Sequence, residues 1–142
     1  MWNATTTPKK FCVQNYKHTL MITYQEYNEY CGSLKQTSHV VQWGGAHVWK
    51  VYDKVFVIGG WENNEGPAIT FKVSELNYEI LKDEPGFRPA PYLASRGFKW
   101  IQHYCEPYIP RQKLEEYIYD SYQLVASGLS KKKQRDLGLL TD

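Results

Sequence analysis

The chain has no long apolar run. Nothing in its 142 residues approaches the ~20 apolar residues that cross a bilayer, and the first twenty, MWNATTTPKKFCVQNYKHTL, have no apolar core of a secretion signal. A cytoplasmic protein without a membrane partner is the expectation. The Asn3-Ala4-Thr5 sequon carries no weight without export. Cysteine is scarce: Cys12, Cys31 and Cys105 are odd in number and form no CxxC pair. That excludes a disulfide framework and reads as reduced thiols. The four histidines, His18, His39, His47 and His103, show no ligand spacing, so no metal site is expected. Gly44-Gly45 and Gly59-Gly60 are not followed by Lys-Ser/Thr and are not phosphate loops. No nucleophile elbow or Ser-His-Asp order is present, and no motif supports a Cys beside His103 or His47. The chain reads as a non-enzyme, with no catalytic residue, cofactor or small-molecule substrate.

What is abundant is aromatic. Twelve Tyr, five Trp and five Phe make up 15% of the chain, ample for a packed interior of one domain. The net charge is only +2, but it is segregated. Residues 1–20 carry Lys9, Lys10 and Lys17 and no acid. Residues 62–84 set six acids against Lys72 and Lys82. Residues 86–113 set Arg88, Arg96, Lys99, Arg111 and Lys113 against Glu106. Segregation of this kind suits a polar partner with one preferred side.

Residues 1–20 have no clear periodicity and read as a poorly ordered extension. A single domain over 21–142 follows, and Met21 is an alternative natural start. Thr23-Tyr24-Gln25-Glu26 is a capping-box pattern, and Tyr24, Tyr27, Tyr30, Cys31 and Leu34 then recur at helical spacing, with an end near Gly32–Ser33. Residues 39–43 read as a transition or short strand. Residues 47–51 and 55–60 read as strands joined by a short turn. In the third strand, residues 67–73, Ile69, Phe71 and Val73 share one face and Ala68, Thr70 and Lys72 the other. Ser74 caps a short helix with Leu76 and Ile80 on one face, ended by Pro85-Gly86. Pro89 and Pro91 restrict their segment to a loop or an edge. Residues 98–104 are the next strand. Pro110 opens a long helix with a stripe of Leu114, Tyr117, Ile118, Ser121 and Val125. The order α-β-β-β-α-β-α gives an α+β fold of two layers, an antiparallel sheet with helices packed on one face.

Several short elements, in this order and spacing, resemble the MmcQ/YjbR family. They are Trp49-Lys50-Val51, Lys54-Val55-Phe56, Thr70-Phe71-Lys72, Arg88-Pro89 with Tyr92-Leu93, Trp100 ahead of a short strand, Ser121-Tyr122-Gln123-Leu124-Val125, and Leu129-Ser130-Lys131-Lys132. The resemblance spans roughly residues 21–139. It implies a two-layer α+β domain of the CyaY-like or secretion-chaperone-like type, and DNA binding through a double-wing surface. It implies no cofactor and no catalytic residue. The link 94–99 is longer than the family's, and His103 and Cys105 stand where the family has aliphatic residues.

Nucleic acid requires cations for its phosphates and aromatic rings for unpaired bases. Arg88, Arg96, Lys99, Lys131, Lys132, Lys133 and Arg135 are the candidate cations, and Tyr92 and Phe98 the candidate rings. No helix-turn-helix, zinc-finger or RNP motif accompanies them. The first expectation is weak, salt-sensitive DNA binding. The alternative is a protein-interaction module that uses the exposed sheet face, where Lys50 and Lys72 lie, together with the Pro-rich loop. Trp49 and Trp100 are expected in the core.

Overall fold

Thr23 and Glu26 close the first helix as their spacing predicts. The Glu26 N–H donates to Thr23 Oγ1 and the Thr23 N–H donates to Glu26 Oε1, each at 3.0 Å. The computed structural model describes residues 22–61, 67–94 and 97–140. The extension 1–20, the boundary at Met21, and Arg96 lie outside the described residues. Helix α1 (Tyr24–Gly32) buries Tyr27 and Cys31, one turn apart. Its Tyr27 hydroxyl donates to the His47 carbonyl at 2.7 Å and ties the helix to the sheet.

Three strands follow as a meander: β1 (Thr37–Gln42), β2 (Ala46–Val51) and β3 (Lys54–Gly59). Tyr52 and Asp53 join β2 to β3 with φ of 48° and 74°. A two-residue hairpin turn of type I′ needs both central residues in that left-handed region. After β4 (Ile69–Lys72), Ser74 Oγ accepts from the Asn77 N–H and starts α2 (Glu75–Leu81). Then come β5 (Phe87–Pro89), β6 (Trp100–His103), α3 (Arg111–Ala126) and α4 (Lys131–Asp136). The sheet order is β1-β2-β3-β4-β6-β5, with every pair antiparallel.

Cross-strand register sorts the side chains into two faces. His39, Trp49, Val57, Phe71, Ile101 and Pro89 form one row, and Val40, Val48, Ile58, Thr70, Gln102 and Arg88 form the adjacent row on the other face. The first face carries the main core. There Leu114, Ile118, Tyr122 and Val125 of α3 pack on Val57, Phe71 and Ile101. One extra residue in β3 makes a bulge opposite Trp49 and Lys50. It lets both Phe56 and Val57 face the helices, and the Phe56 ring meets Tyr122 edge-on at 5.4 Å.

The α+β, two-layer reading holds. The structure adds three elements to the expected order. Residues 37–42 form a full edge strand, β1, although most of it is exposed and shows no alternation of burial. Pairing with β2, not apolar patterning, makes it a strand. The Pro89 segment forms the opposite edge, as proline's missing N–H requires. The Lys-rich cluster forms α4, which its six residues are too short to announce by periodicity. The face of α2 that carries Leu76 and Ile80 is exposed, at 71% and 53% for the two residues, because this seven-residue helix reaches the core through Tyr78 and Leu81. Among the described residues no helix is long and apolar enough to cross a membrane.

The α1–sheet contact depends on Gly59. A Cβ there lies 2.7 Å from Tyr27 Cε2, and the Tyr27 ring is held by its hydroxyl bond and full burial. Gly59→Ala is expected to lower unfolding free energy by about 1–3 kcal/mol through overpacking. Urea unfolding reads this directly. An unchanged midpoint contradicts the close approach.

Candidate functional site

Strand β3 is apolar on both of its faces. Val57 joins the main core, while Ile58 packs with Val48 and Ala46 on the open face. Open-face Ile58 floors a cleft of about 360 Å³ lined by Trp43, Val55, Ile58, Trp61, Tyr92, Leu93 and Trp100. These residues converge from separate segments. Trp43 comes from the β1–β2 turn, Trp61 from just beyond β3, Tyr92 and Leu93 from the turn after β5, and Trp100 from the start of β6. The Trp43 and Trp61 rings lie 6.0 Å apart. Trp43 is 53% and Tyr92 69% exposed. Both hold left-handed backbone, with φ of 54° and 75°. A non-glycine residue there costs about 1–2 kcal/mol, and such strain concentrates at functional sites.

A buried polar chain runs beside this cleft. The Gln102 amide is fully buried. Its Nε2 donates to the Trp61 carbonyl at 2.6 Å and to Thr70 Oγ1 at 3.1 Å, and its Oε1 accepts from Arg88 Nε at 2.8 Å. Gln102 therefore pins the Trp61 backbone to the sheet. Two cations frame the same face. Lys72 is the cross-strand partner of Trp100, and Lys50 that of Val55.

The other candidate cations engage different parts of the fold. Arg88 sits over the Tyr104 ring at 4.0 Å, on the β5 edge. Lys99 sits over Tyr78 of α2 at 4.7 Å. On α4, Lys133 covers Tyr52 of the β2–β3 turn at 5.0 Å and Lys132 approaches Asp136 at 3.8 Å. Lys131 and Arg135 are exposed on the same helix. Of the candidate rings, Phe98 is exposed beside Lys99 and Tyr92 is on the cleft rim. Trp49 lies in the main core as expected, its Nε1 donating to Asn28 Oδ1 at 2.9 Å. Trp100 does not. It is half-buried on the opposite face and lines the cleft.

His103 has both ring nitrogens engaged. Nδ1 donates to the Gly86 carbonyl at 2.9 Å, and Nε2 accepts from the Ile109 N–H at 3.1 Å. These partners set the tautomer and leave no nitrogen for proton transfer to Cys105. Burial holds its pKa down, at about 4. Burial likewise pushes the Cys31 thiol far above its ordinary range, so it offers no thiolate.

A family model described as YjbR matches residues 32–124. The match runs from the end of α1 through most of α3 and spans more than half of the chain. This chain belongs to the YjbR family. The resemblance read from its short elements therefore holds at the level of the family. Two solved structures share the YjbR fold described here. One is the Deinococcus radiodurans protein DR2400, carrying the domain DUF419. It is 21% identical, with a TM-score of 0.70 over 84% of this chain and 91% of that one. The other is a protein from Pseudomonas syringae, also 21% identical, with a TM-score of 0.57 over 72% of this chain and 98% of that one. At that identity they share the fold alone. No curated protein matches this YjbR-family chain.

The cleft residues Trp43, Val55, Ile58, Trp61, Leu93 and Trp100 escape a reading for charge and catalysis. One signal was present. The run Val55-Phe56-Val57-Ile58 does not alternate, which marks a strand covered on both faces.

Proposed function

We propose that this YjbR-family chain is a cytoplasmic, non-catalytic binding protein whose working surface is the open face of its sheet. The observation that carries this reading is the aromatic cleft, with Trp43 and Tyr92 exposed at its rim on strained backbone. Its partner is a polypeptide segment with an aromatic or large apolar anchor and acidic residues beside it. The lining of three tryptophans, a leucine, a valine and an isoleucine fits the anchor, and an aromatic side chain brings about 150–250 Å² of surface to bury. Lys50 and Lys72 fit the acids.

Phage-displayed peptides panned on the protein, then resynthesised and titrated by tryptophan fluorescence, test this. Selected peptides should share an aromatic anchor with acidic flanks. Trp43→Ala should weaken them at least tenfold, and Lys50→Glu/Lys72→Glu should reverse the charge preference. Peptides that bind both variants as tightly as wild type would overturn the reading.

A second reading is DNA binding, favoured by α4, which sets Lys131, Lys132, Lys133 and Arg135 exposed on one short helix. Lys99 and the exposed Phe98 and Tyr92 rings would extend it. Arg88 contributes less, being drawn onto Gln102 and Tyr104. Labelled duplex and single-stranded DNA titrated at low and moderate salt decide this reading. Salt-sensitive binding lost in Lys132→Glu/Lys133→Glu supports it, since each phosphate contact contributes about one unit of log–log salt slope. No binding at low salt ends it.

A further inference from the structure

We propose that His39 and His47 form a two-nitrogen chelate for a borderline divalent transition-metal ion. The pair lies on the helix-side face of the sheet, at its β1 edge, away from the aromatic cleft. His39 pairs across the strands with Trp49, and His47 with Val41, so the two imidazoles are diagonal neighbours on adjacent antiparallel strands. His39 Nε2 lies 3.1 Å from His47 Nδ1. Imidazole nitrogens bind such an ion at about 2.0–2.1 Å, and two of them at right-angled to tetrahedral coordination stand about 2.9–3.4 Å apart. The observed separation is already inside that range.

In the metal-free protein the same separation holds one shared N–H···N bond. Metal uptake replaces that shared proton. The donating ring moves its proton to its far nitrogen, Nδ1 of His39 or Nε2 of His47, and both contacting nitrogens then present lone pairs. The neutral pair loses no proton overall. The two ring centroids lie 5.3 Å apart at 16°, so the nitrogens face one another almost head-on, and each ring turns by roughly 25° before both lone pairs meet on one ion. Neighbouring rings flank the pair. The Trp49 indole lies against His39 at 4.8 Å and 14°, and the Tyr24 ring lies 5.8 Å from His47.

The donor set selects the metal. Two imidazoles suit Cu²⁺, Ni²⁺ and Zn²⁺ and do not suit Mg²⁺ or Ca²⁺, and Cu²⁺ heads the affinity series. Among the described residues no group of three or more His, Cys, Asp and Glu forms a metal cluster. No further His, Cys, Asp or Glu among the described residues joins the pair, which leaves positions on the ion for water or another ligand. The spacing of eight residues gave no signal in the sequence, because the two histidines meet only across the β1–β2 turn.

Calorimetric titration of the full chain, stripped of metal and then given Cu²⁺, Ni²⁺ or Zn²⁺ alone, tests the site. One ion per chain is expected, tightest for Cu²⁺, with a Cu²⁺ spin-resonance spectrum showing coupled imidazole nitrogens. His39→Gln and His47→Gln should each weaken Cu²⁺ binding at least tenfold. His18→Gln, a control outside the described residues, should leave it unchanged. Thermal unfolding of the metal-free variants confirms that each is folded. Equal binding by wild type, His39→Gln and His47→Gln overturns the proposal, as does binding that is lost with His18.

Discussion

Gly86→Ala should cost about 2–5 kcal/mol of stability. Gly86 has φ of +85°, where a Cβ costs about 1–2 kcal/mol in strain. The larger part is steric. That Cβ would lie 2.7 Å from the Cys105 carbonyl oxygen and 2.8 Å from that of Pro107. Both are backbone atoms of the segment that follows β6, so neither can swing aside as a flexible side chain would. Moving Gly86 instead strains two hydrogen bonds, because its carbonyl accepts from the Tyr104 N–H and from His103 Nδ1, each at 2.9 Å. Overpacking against a fixed wall adds about 1–3 kcal/mol. Gly97 is the control. Its φ is +87°, with no neighbouring atom within 4 Å of the added Cβ, so Gly97→Ala should carry the strain alone. Urea unfolding of the two variants separates the effects. Equal losses would refute the steric account.

Acid should remove about 3 kcal/mol of stability through His103, between pH 6.5 and about 4. The folded protein holds this imidazole neutral, its pKa lowered from 6.5 to about 4 by burial. Below pH 6.5 the unfolded chain takes up the proton and the folded chain does not. The stabilisation is therefore complete above pH 6.5 and falls by about 1.4 kcal/mol per pH unit until the folded protein is protonated as well. The exposed Glu26 carboxyl acts later. Hydrogen bonds at the helix cap lower its pKa from 4.5, so its stabilisation is lost only as pH falls below that value. Unfolding free energies at pH 7, 6, 5 and 4.5 sample the histidine window first. His103→Gln can still accept from Ile109 and donate to Gly86, but it does not titrate. Burial and the neighbouring His47 also lower the His39 pKa, so the His103→Gln profile keeps a residual slope but should be clearly shallower than that of the wild type, and parallel profiles would sink the assignment.

Both outcomes concern a region that the sequence describes poorly. His103 and Cys105 look like departures in a strand that should be aliphatic. In the structure the imidazole replaces an aliphatic side chain without an orphaned polar atom, because Gly86 and Ile109 supply one acceptor and one donor. No spacing rule links residues 86, 103 and 109. They meet because β5 pairs with β6, with Phe87 opposite His103.

The Arg88–Lys99 segment shows the same division. Its prolines restrict it to an edge, and the structure agrees. Its charge suggested a basic surface, yet Arg88 is drawn onto Gln102 and Tyr104 and Lys99 onto Tyr78. The neighbouring apolar and aromatic residues, Tyr92, Leu93 and Trp100, build the cleft instead. A large aromatic in a strand usually belongs to the core, yet Trp100 lines the cleft. The face it occupies depends on register, and register is not a property of its own strand.

By itself, the sequence determined the class and most of the elements. The Thr23–Glu26 box, the Ser74 cap, the short turn between the strands at 47–51 and 55–60, the alternation of residues 69–73 and the Pro110 start are local signals. Each depends on residues within a few positions, so each can be read before the chain folds. Only the tertiary structure decided where the candidate sites are. The cleft joins residues 43, 55, 58, 61, 92, 93 and 100, and the histidine pair joins residues 39 and 47 across a turn. Both depend on strand order and on which face each side chain takes, and a slip of one residue would send every side chain of a strand to the opposite face.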